Sequence, residues 1–231
     1  MSRPKDAERT KEVKEKIAEI AINLFIKKGY DKSSINEIIK KSNTNKGTFY
    51  HYFSSKEDLI NFLGKQIVSE MVPLIDKIAE NPNLNALEKL KKCFNSIKAF
   101  KFKNHKKMIL LGKIMYKEEN LKFRYHINNI IIELYVPIFA KIISQGKKEK
   151  TLKVNDPEDT AEIMFRFASV MGEMLVPLII DGKFKVKNIK LFLERAKSYK
   201  KILKQILGID EKGFNIFNFN EKIIKKMFYL K

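Results

Sequence analysis

Residues 43–59 read NTNKGTFYHYFSSKEDL. Lys46, Thr48, Tyr50, His51, Tyr52 and Lys56 bring two ammonium groups, three hydroxyls and an imidazole into one short stretch. Such groups donate hydrogen bonds to phosphate oxygens and to base edges. Gly47 lies among them. Glycine inside a helix is about 1 kcal/mol less favourable than alanine. What it permits is close backbone approach to whatever docks there.

These side chains need short, well-capped helices to carry them. The pattern predicts helices over 34–42 and 46–53, joined by three residues, which is helix-turn-helix spacing. Ser34-Ile35-Asn36-Glu37 has the spacing of a capping box. Asn43 suits a left-handed turn, and Asn45 can cap the second helix. Ser55 can cap a further helix, with Glu57 and Asp58 favourably placed against its dipole. Phe49 and Phe53 are four apart and share an inward face. Leu24, Phe25, Ile35, Ile38 and Ile39 supply the core behind them. Outward-facing positions are then Lys46, Gly47, Thr48, Tyr50, His51 and Tyr52, a surface that fits the DNA major groove. Lys56 and the first turn of its helix add a second phosphate site. A helical hairpin with a polar rim has the same spacing, because connections of this length are common.

Gly29-Tyr30, Ser34-Ile35 with Ile38, the run Lys46-Gly47-Thr48-Phe49-Tyr50-His51-Tyr52-Phe53 and the run Ser55-Lys56-Glu57-Asp58-Leu59 closely resemble one family. It is the TetR (tetracycline-repressor) family of transcription regulators, in its N-terminal DNA-binding domain. The likeness runs without a gap from about Thr10 to Leu63. One departure is the turn Ser42-Asn43-Thr44, where the family usually has Ala-Gly-Val. Thr44 stands where a small apolar residue is usual, so looser local packing is expected. The resemblance implies that Ser34, Thr48, Tyr50, Tyr52 and Lys56 hold phosphates. It also places Asn45, Lys46 and His51 where relatives read or approach bases. The implied fold is all-α: a helix-turn-helix domain at residues 1–56 joined to a helical ligand-sensing and dimerisation domain at 57–231.

The chain of 231 residues has a formal net charge of +20. Residues 1–55 hold 12 Lys/Arg against 7 Asp/Glu, so the excess is spread along the chain and does not locate a site. The lone cysteine, Cys93, allows no intrachain disulfide, and the N-terminus lacks the apolar core of a secretory signal. The most apolar stretch, Ile127 to Ile143, is interrupted by Asn128, Asn129, Glu133, Pro137 and Lys141, which argues against a membrane span. A cytoplasmic location is expected. The chain offers no nucleophile elbow, phosphate loop, paired carboxylates or metal-spaced histidines, so neither an enzyme nor a cofactor is expected.

Beyond Met71 helices are predicted at about 56–79, 85–102, 105–117, 119–148, 157–180, 189–207 and 221–229, with Pro137 kinking the fourth. The helix from 157 carries two apolar stripes: Ala161, Met164, Ala168, Met171, Leu175, Leu178, and Ile163, Phe167, Val170, Met174. The helix from 189 carries Ile189, Phe192, Ala196, Tyr199, Leu203 and Ile206. Such seams suit near-parallel helix packing. One stripe can face the chain's own core and the other a second copy, or both can be internal. The resemblance implies a dimer interface on the last two long helices, so Ala161, Met164, Ala168, Met171 and Leu175 together with Phe192, Ala196, Tyr199, Leu203 and Ile206 are the expected homodimer seam. Candidate anchors for a small-molecule effector are His126, Glu133 and Glu173, with Met164 and Phe167. A carboxylate in an apolar run must be paired, protonated or exposed. Ligand-responsive repression through double-stranded operator DNA is the expected function, and constitutive DNA binding without a ligand is the alternative. Replacing Gly47 by Val should abolish binding to operator DNA in gel shift while circular dichroism stays helical, because the branched side chain would stand between helix and groove.

Overall fold

The computed structural model describes residues 4–177 and 186–209, and every regular element among them is helical. Helices α1 to α4 span Pro4–Lys28, Ile35–Ser42, Lys46–Tyr52 and Lys56–Ser69. Next come α5 (Val72–Ala79), α6 (Ala86–Lys103), α7 (His105–Met115) and a 3-10 turn (Glu118–Asn120). Helices α8 (Leu121–Lys148), α9 (Pro157–Leu175) and α10 (Val186–Ile206) follow.

The chain forms two compact units. The first comprises residues up to Ile67 together with Lys113–Ile130, and the second comprises Val68–Gly112 with residues from Ile131 onward. This grouping differs from a division at residue 56. Helix α4 belongs to the first unit, and so does the segment that ends α7 and begins α8. Gly64 on α4 is buried, and a Cβ there would collide with Ile130 and sit 3.0 Å from Ile127 Cδ1. The two helices meet too closely at that point for a larger residue. In the same unit Phe25, Phe49, Phe53, Leu59, Ile60 and Phe123 are buried.

In the second unit, Phe139, Ile142 and Ile143 of α8 are buried, as are Leu90 and Cys93 of α6. Residues Glu118–Lys148 are long and apolar enough to cross a membrane by length and composition alone, yet 44% of the most apolar window is buried in the protein. The interruptions at Glu133, Pro137 and Lys141 are exposed, as a core helix with one wet face requires. Lys89 is buried at 5% exposure, its ammonium bonded to the Ala79 carbonyl at 2.6 Å and to Gln145 Oε1 at 2.7 Å.

Several helix limits differ from the sequence reading. The single helix expected over 56–79 is two, because Pro73 lies in the first turn of α5 and cannot continue a helix from upstream. Helix α9 ends at Leu175 rather than 180. Pro177 lacks the N–H that would bond back to Glu173. Pro137 lies inside α8, which runs unbroken from Leu121 to Lys148. Leu178, Asp181-Gly182 and the helix expected at 221–229 lie outside the described residues.

The largest correction concerns α9 and α10. Ala161, Met164 and Leu175 are buried within the chain, and so are Phe192, Ala196, Tyr199 and Leu203. Leu175, Phe192, Ala196 and Tyr199 form one cluster, with Phe167, Met171 and Leu193 packed against it. Ile206 is half-buried, and of that expected seam only Ala168 is exposed. The stripe assigned to a second copy is therefore the internal one. Ile163, Val170 and Met174 are the exposed large apolar residues of α9, at 54%, 52% and 40%. Replacing Tyr199 and Leu203 together by Glu should thus unfold the second unit, seen as lost helicity, instead of yielding folded monomers; two unpaired buried carboxylates cost several kcal/mol.

Candidate nucleic-acid interface

Helix α2 opens at Ser34, whose hydroxyl accepts from the Glu37 N–H at 3.2 Å. The expected capping box is only half made, since the Glu37 carboxylate pairs with Lys28 instead of returning to Ser34. Accepting that bond leaves the exposed Ser34 hydroxyl its own proton to donate. Helix α2 closes on Asn43, which is left-handed at φ 54° and ψ 42°. The Thr44 N–H returns to the Ile39 carbonyl and the Asn43 N–H to that of Lys40, the paired bonds of a Schellman ending. Thr44 does not loosen the turn as a bare hydroxyl in an apolar slot would. Its Oγ1 lies 2.8 Å from the buried Ser42 Oγ, which also donates to the Ile39 carbonyl.

Asn45 caps α3 through the Thr48 N–H at 2.7 Å. Phe49 is fully buried and Phe53 is 1% exposed, as the spacing of four predicted. Asn45, Lys46, Gly47, Tyr50 and His51 are exposed on the other side, with Thr48 and Tyr52 half-buried. The Tyr50 ring is 46% exposed and meets Phe49 edge-on, while His51 and Tyr52 form a second edge-on pair at 4.8 Å. Lys14 of α1 lies 5.9 Å from the Tyr52 ring centroid. A Cβ at Gly47 would meet only the Asn45 Oδ1, at 3.3 Å. Apart from that mild crowding, the protein leaves the space above Gly47 open.

Lys56 occupies a different setting from Lys46. Its ammonium donates to the Tyr30 carbonyl and stands 3.8 Å from the Tyr30 ring centroid. Burial there lowers its pKa from the ordinary lysine value. Tyr30 donates its hydroxyl to Glu57 Oε1 at 3.0 Å. Backbone bonding at the start of α4, and then the Tyr30 hydroxyl, hold the Glu57 carboxyl below its usual range. Ser55 accepts from the Asp58 N–H at 3.0 Å, and Asp58 in turn accepts from the Ser54 N–H. An exposed arc thus runs from Ser34 through α3 to the first turn of α4. It presents hydrogen-bond donors and contains no carboxylate on α3 itself.

The model of the tetR family of bacterial regulatory proteins matches residues 17–62, which span this arc. Residues 17–62 are therefore similar to the tetR-family DNA-binding segment. An uncharacterised helix-turn-helix regulator of Bacillus subtilis, YvdT, is 44% identical over 61 residues, 26% of this chain and 31% of that protein. The helix-turn-helix regulator QacR of Staphylococcus aureus is 29% identical over 164 residues, 71% of this chain and 74% of QacR. Among solved structures, the transcriptional regulator FadR of Bacillus subtilis, crystallised with stearoyl-CoA, shares the fold at a TM-score of 0.54. It is 22% identical, and the match covers 84% of this chain and 98% of that one.

The expected effector anchors are divided between the two units. His126 is half-buried in the first unit, whereas Glu133, Met164, Phe167 and Glu173 belong to the second. Glu133 and Glu173 are exposed, which resolves the problem of a carboxylate in an apolar run. Met164 is buried, and Phe167 packs edge-on against Tyr199 at 5.4 Å. A shallow depression of about 330 Å³ lies at the start of α9, lined by Asp156, Asp159, Thr160 and Ile163 among others, and none of the five lines it. Sequence reasoning missed Tyr30 as the seat of Lys56, although the Gly29-Tyr30 pair marked the position. Lys46→Ala should lower the slope of log DNA affinity against log salt by about one unit, at unchanged thermal stability. Lys56→Ala should lower both the slope and the melting temperature, because it also empties the Tyr30 seat. Salt titration and calorimetry separate the two effects.

Proposed function

We propose that the protein is a non-enzymatic transcriptional repressor that binds a palindromic DNA operator as a homodimer and is released by a small amphipathic effector. The observation that carries this reading is the division of α3. Phe49 is wholly inside, while Lys46, Gly47, Tyr50 and His51 are exposed together. Ser34, Thr48, Tyr50, Tyr52 and Lys56 position the duplex by its phosphates; Asn45, Lys46 and His51 approach base edges. The polar-rim hairpin gives no reason for a helical glycine beneath open space.

The dimer surface is the outer apolar face of α9 and α10. Ile163, Val170 and Met174 on α9 and Leu191 and Ile202 on α10 are exposed between 37% and 54%. Helix α9 carries four carboxylates against one arginine, whereas α10 carries seven cations against one carboxylate. Packing α9 of one copy on α10 of another joins opposite charges around an apolar centre. Two-fold symmetry would then present two copies of α3 to half-sites roughly 34–36 Å apart.

For the effector, the neighbour solved with stearoyl-CoA supports an amphipathic class. The closed packing of Met164 and Phe167 favours the alternative, constitutive DNA binding, as far as the described residues go. Selecting binding sites from random DNA tests the central claim, and failure to enrich any palindrome would sink it. For the dimer, Val170→Glu with Ile202→Glu should give folded monomers in sedimentation, since both residues are already exposed in the isolated chain. Operator affinity should fall at least tenfold, each half-site alone binding weakly. A dimer that persists would place the interface elsewhere.

A further inference from the structure

Helix α1 ends at Gly29, with φ at 89°, and its final carbonyls need donors that the helix cannot supply. Two bonds there are local, from the Gly29 N–H to the Phe25 carbonyl at 3.1 Å and from the Ser33 hydroxyl to the Gly29 carbonyl at 2.7 Å. Two further donors come from the 3-10 turn and its N-cap about ninety residues along the chain. Lys117 Nζ donates to the Ile26 carbonyl at 2.7 Å, and Asn120 Nδ2 donates to the Phe25 carbonyl at 3.3 Å. The same carboxamide accepts the Tyr30 N–H on its Oδ1 at 2.6 Å, and its Nδ2 donates to the Ile114 carbonyl at 2.8 Å. Asn120 is fully buried, and its oxygen and both N–H groups are engaged. Only one orientation of the amide satisfies all three partners: two are carbonyls and one is an N–H. Glu119 seats against Gly29, where a Cβ would fall 2.6 Å from the Glu119 Cβ. Lys122 pairs with Asp31 at 3.4 Å on the far side of the junction.

We propose that residues 117–120 form a cap, supplied from a distant part of the same chain, for the end of α1, and that Asn120 is the positioning residue that sets the α1–α2 junction for DNA reading. The proposal rests on the DNA-binding reading above. Tyr30 is the point where the cap acts. Asn120 holds its N–H, Lys56 and the Ser33 N–H hold its carbonyl, Glu57 holds its hydroxyl, and Phe25 meets its ring at 5.2 Å. Helix α2 starts five residues later, so the placement of Tyr30 fixes where Ser34 and the helices after it stand. Asn120 itself is buried and lies outside the exposed arc. A base-reading helix must be held to within about 0.5 Å of its productive place, which requires this kind of support from behind. Phosphate contacts tolerate misplacement better, because sequence-independent binding needs charge and not register.

Asn120→Ala should therefore cut affinity for the sequence that the wild-type chain selects by about tenfold, while affinity for unrelated DNA changes less than twofold. Both are measured at a temperature where circular dichroism shows the variant folded, with faster hydrogen exchange at the Tyr30 amide. Lys117→Met keeps the side-chain stem, removes only the bond to Ile26, and should cost about two- to threefold in selective affinity. Unchanged selectivity in folded Asn120→Ala would overturn the proposal. Should that variant fail to fold, unchanged selectivity in Lys117→Met would overturn it equally. A wild-type chain that enriches no DNA sequence would overturn the DNA-binding reading first, and this proposal with it.

Discussion

Seven residues do not make a stable helix in water, and α3 has seven. The first unit exists to hold it. Phe49 gives α3 its anchor, and full burial of a phenylalanine contributes roughly 2–3 kcal/mol. Phe53 follows one turn later and meets Phe62 of α4 at 5.4 Å. The Asn45 side chain closes one end of the helix, and the Phe53 N–H returns to the Phe49 carbonyl at 2.8 Å at the other. With two inward residues and two closed ends, the remaining positions are free of structural duty. That is why hydroxyls, an imidazole and a glycine can stand there together.

The turn before α3 shows how a polar substitution is absorbed. Two hydroxyls replace small apolar groups relative to the pattern the sequence resembles, and each would be a liability if buried alone. They satisfy one another at 2.8 Å, and Ser42 also donates to a carbonyl of its own helix. The left-handed residue is Asn43, which reaches that conformation more readily than other non-glycine residues. The turn thus keeps its geometry by hydrogen bonding where apolar packing would have served.

Elements whose signals are local were legible in the sequence. Ser34, Asn43, Asn45 and Ser55 each act within a few residues of themselves, and each stands where its spacing put it. The break between α4 and α5 was also local, since Pro73 announces it, and reading the 56–79 stretch by apolar periodicity alone passed over that signal. The two stripes of α9 were visible, but not which one faces inward. Periodicity fixes the angle between stripes and says nothing about where the neighbouring helix lies. Here the inner stripe holds Ala161, while the outer holds Ile163 and Val170 at over half exposure, the reverse of what side-chain hydrophobicity suggests. Asn120 had no legible signal, because its partners Tyr30 and Phe25 are 90 and 95 residues away.

The charge of the chain needs the same division. A net charge of +20 counts every lysine alike, but the fold does not use them alike. Lys56 donates to the carbonyl of Tyr30, Lys89 to that of Ala79 at the end of α5, and Lys117 to that of Ile26 at the end of α1. These ammonium groups act first as caps for helix ends and turns, where a cation also suits the dipole. Of the lysines in the exposed arc, Lys46 has no such duty, and Lys56 has one already. Charge on this face is therefore modest, and attraction to phosphate alone would not distinguish it from many other lysine-rich surfaces of the chain. What distinguishes it is the array of Thr48, Tyr50, His51 and Tyr52 around a glycine, held in place by rings behind them. On the proposed reading selectivity comes from that geometry, which makes the packing beneath α3 as much a part of recognition as the groups above it.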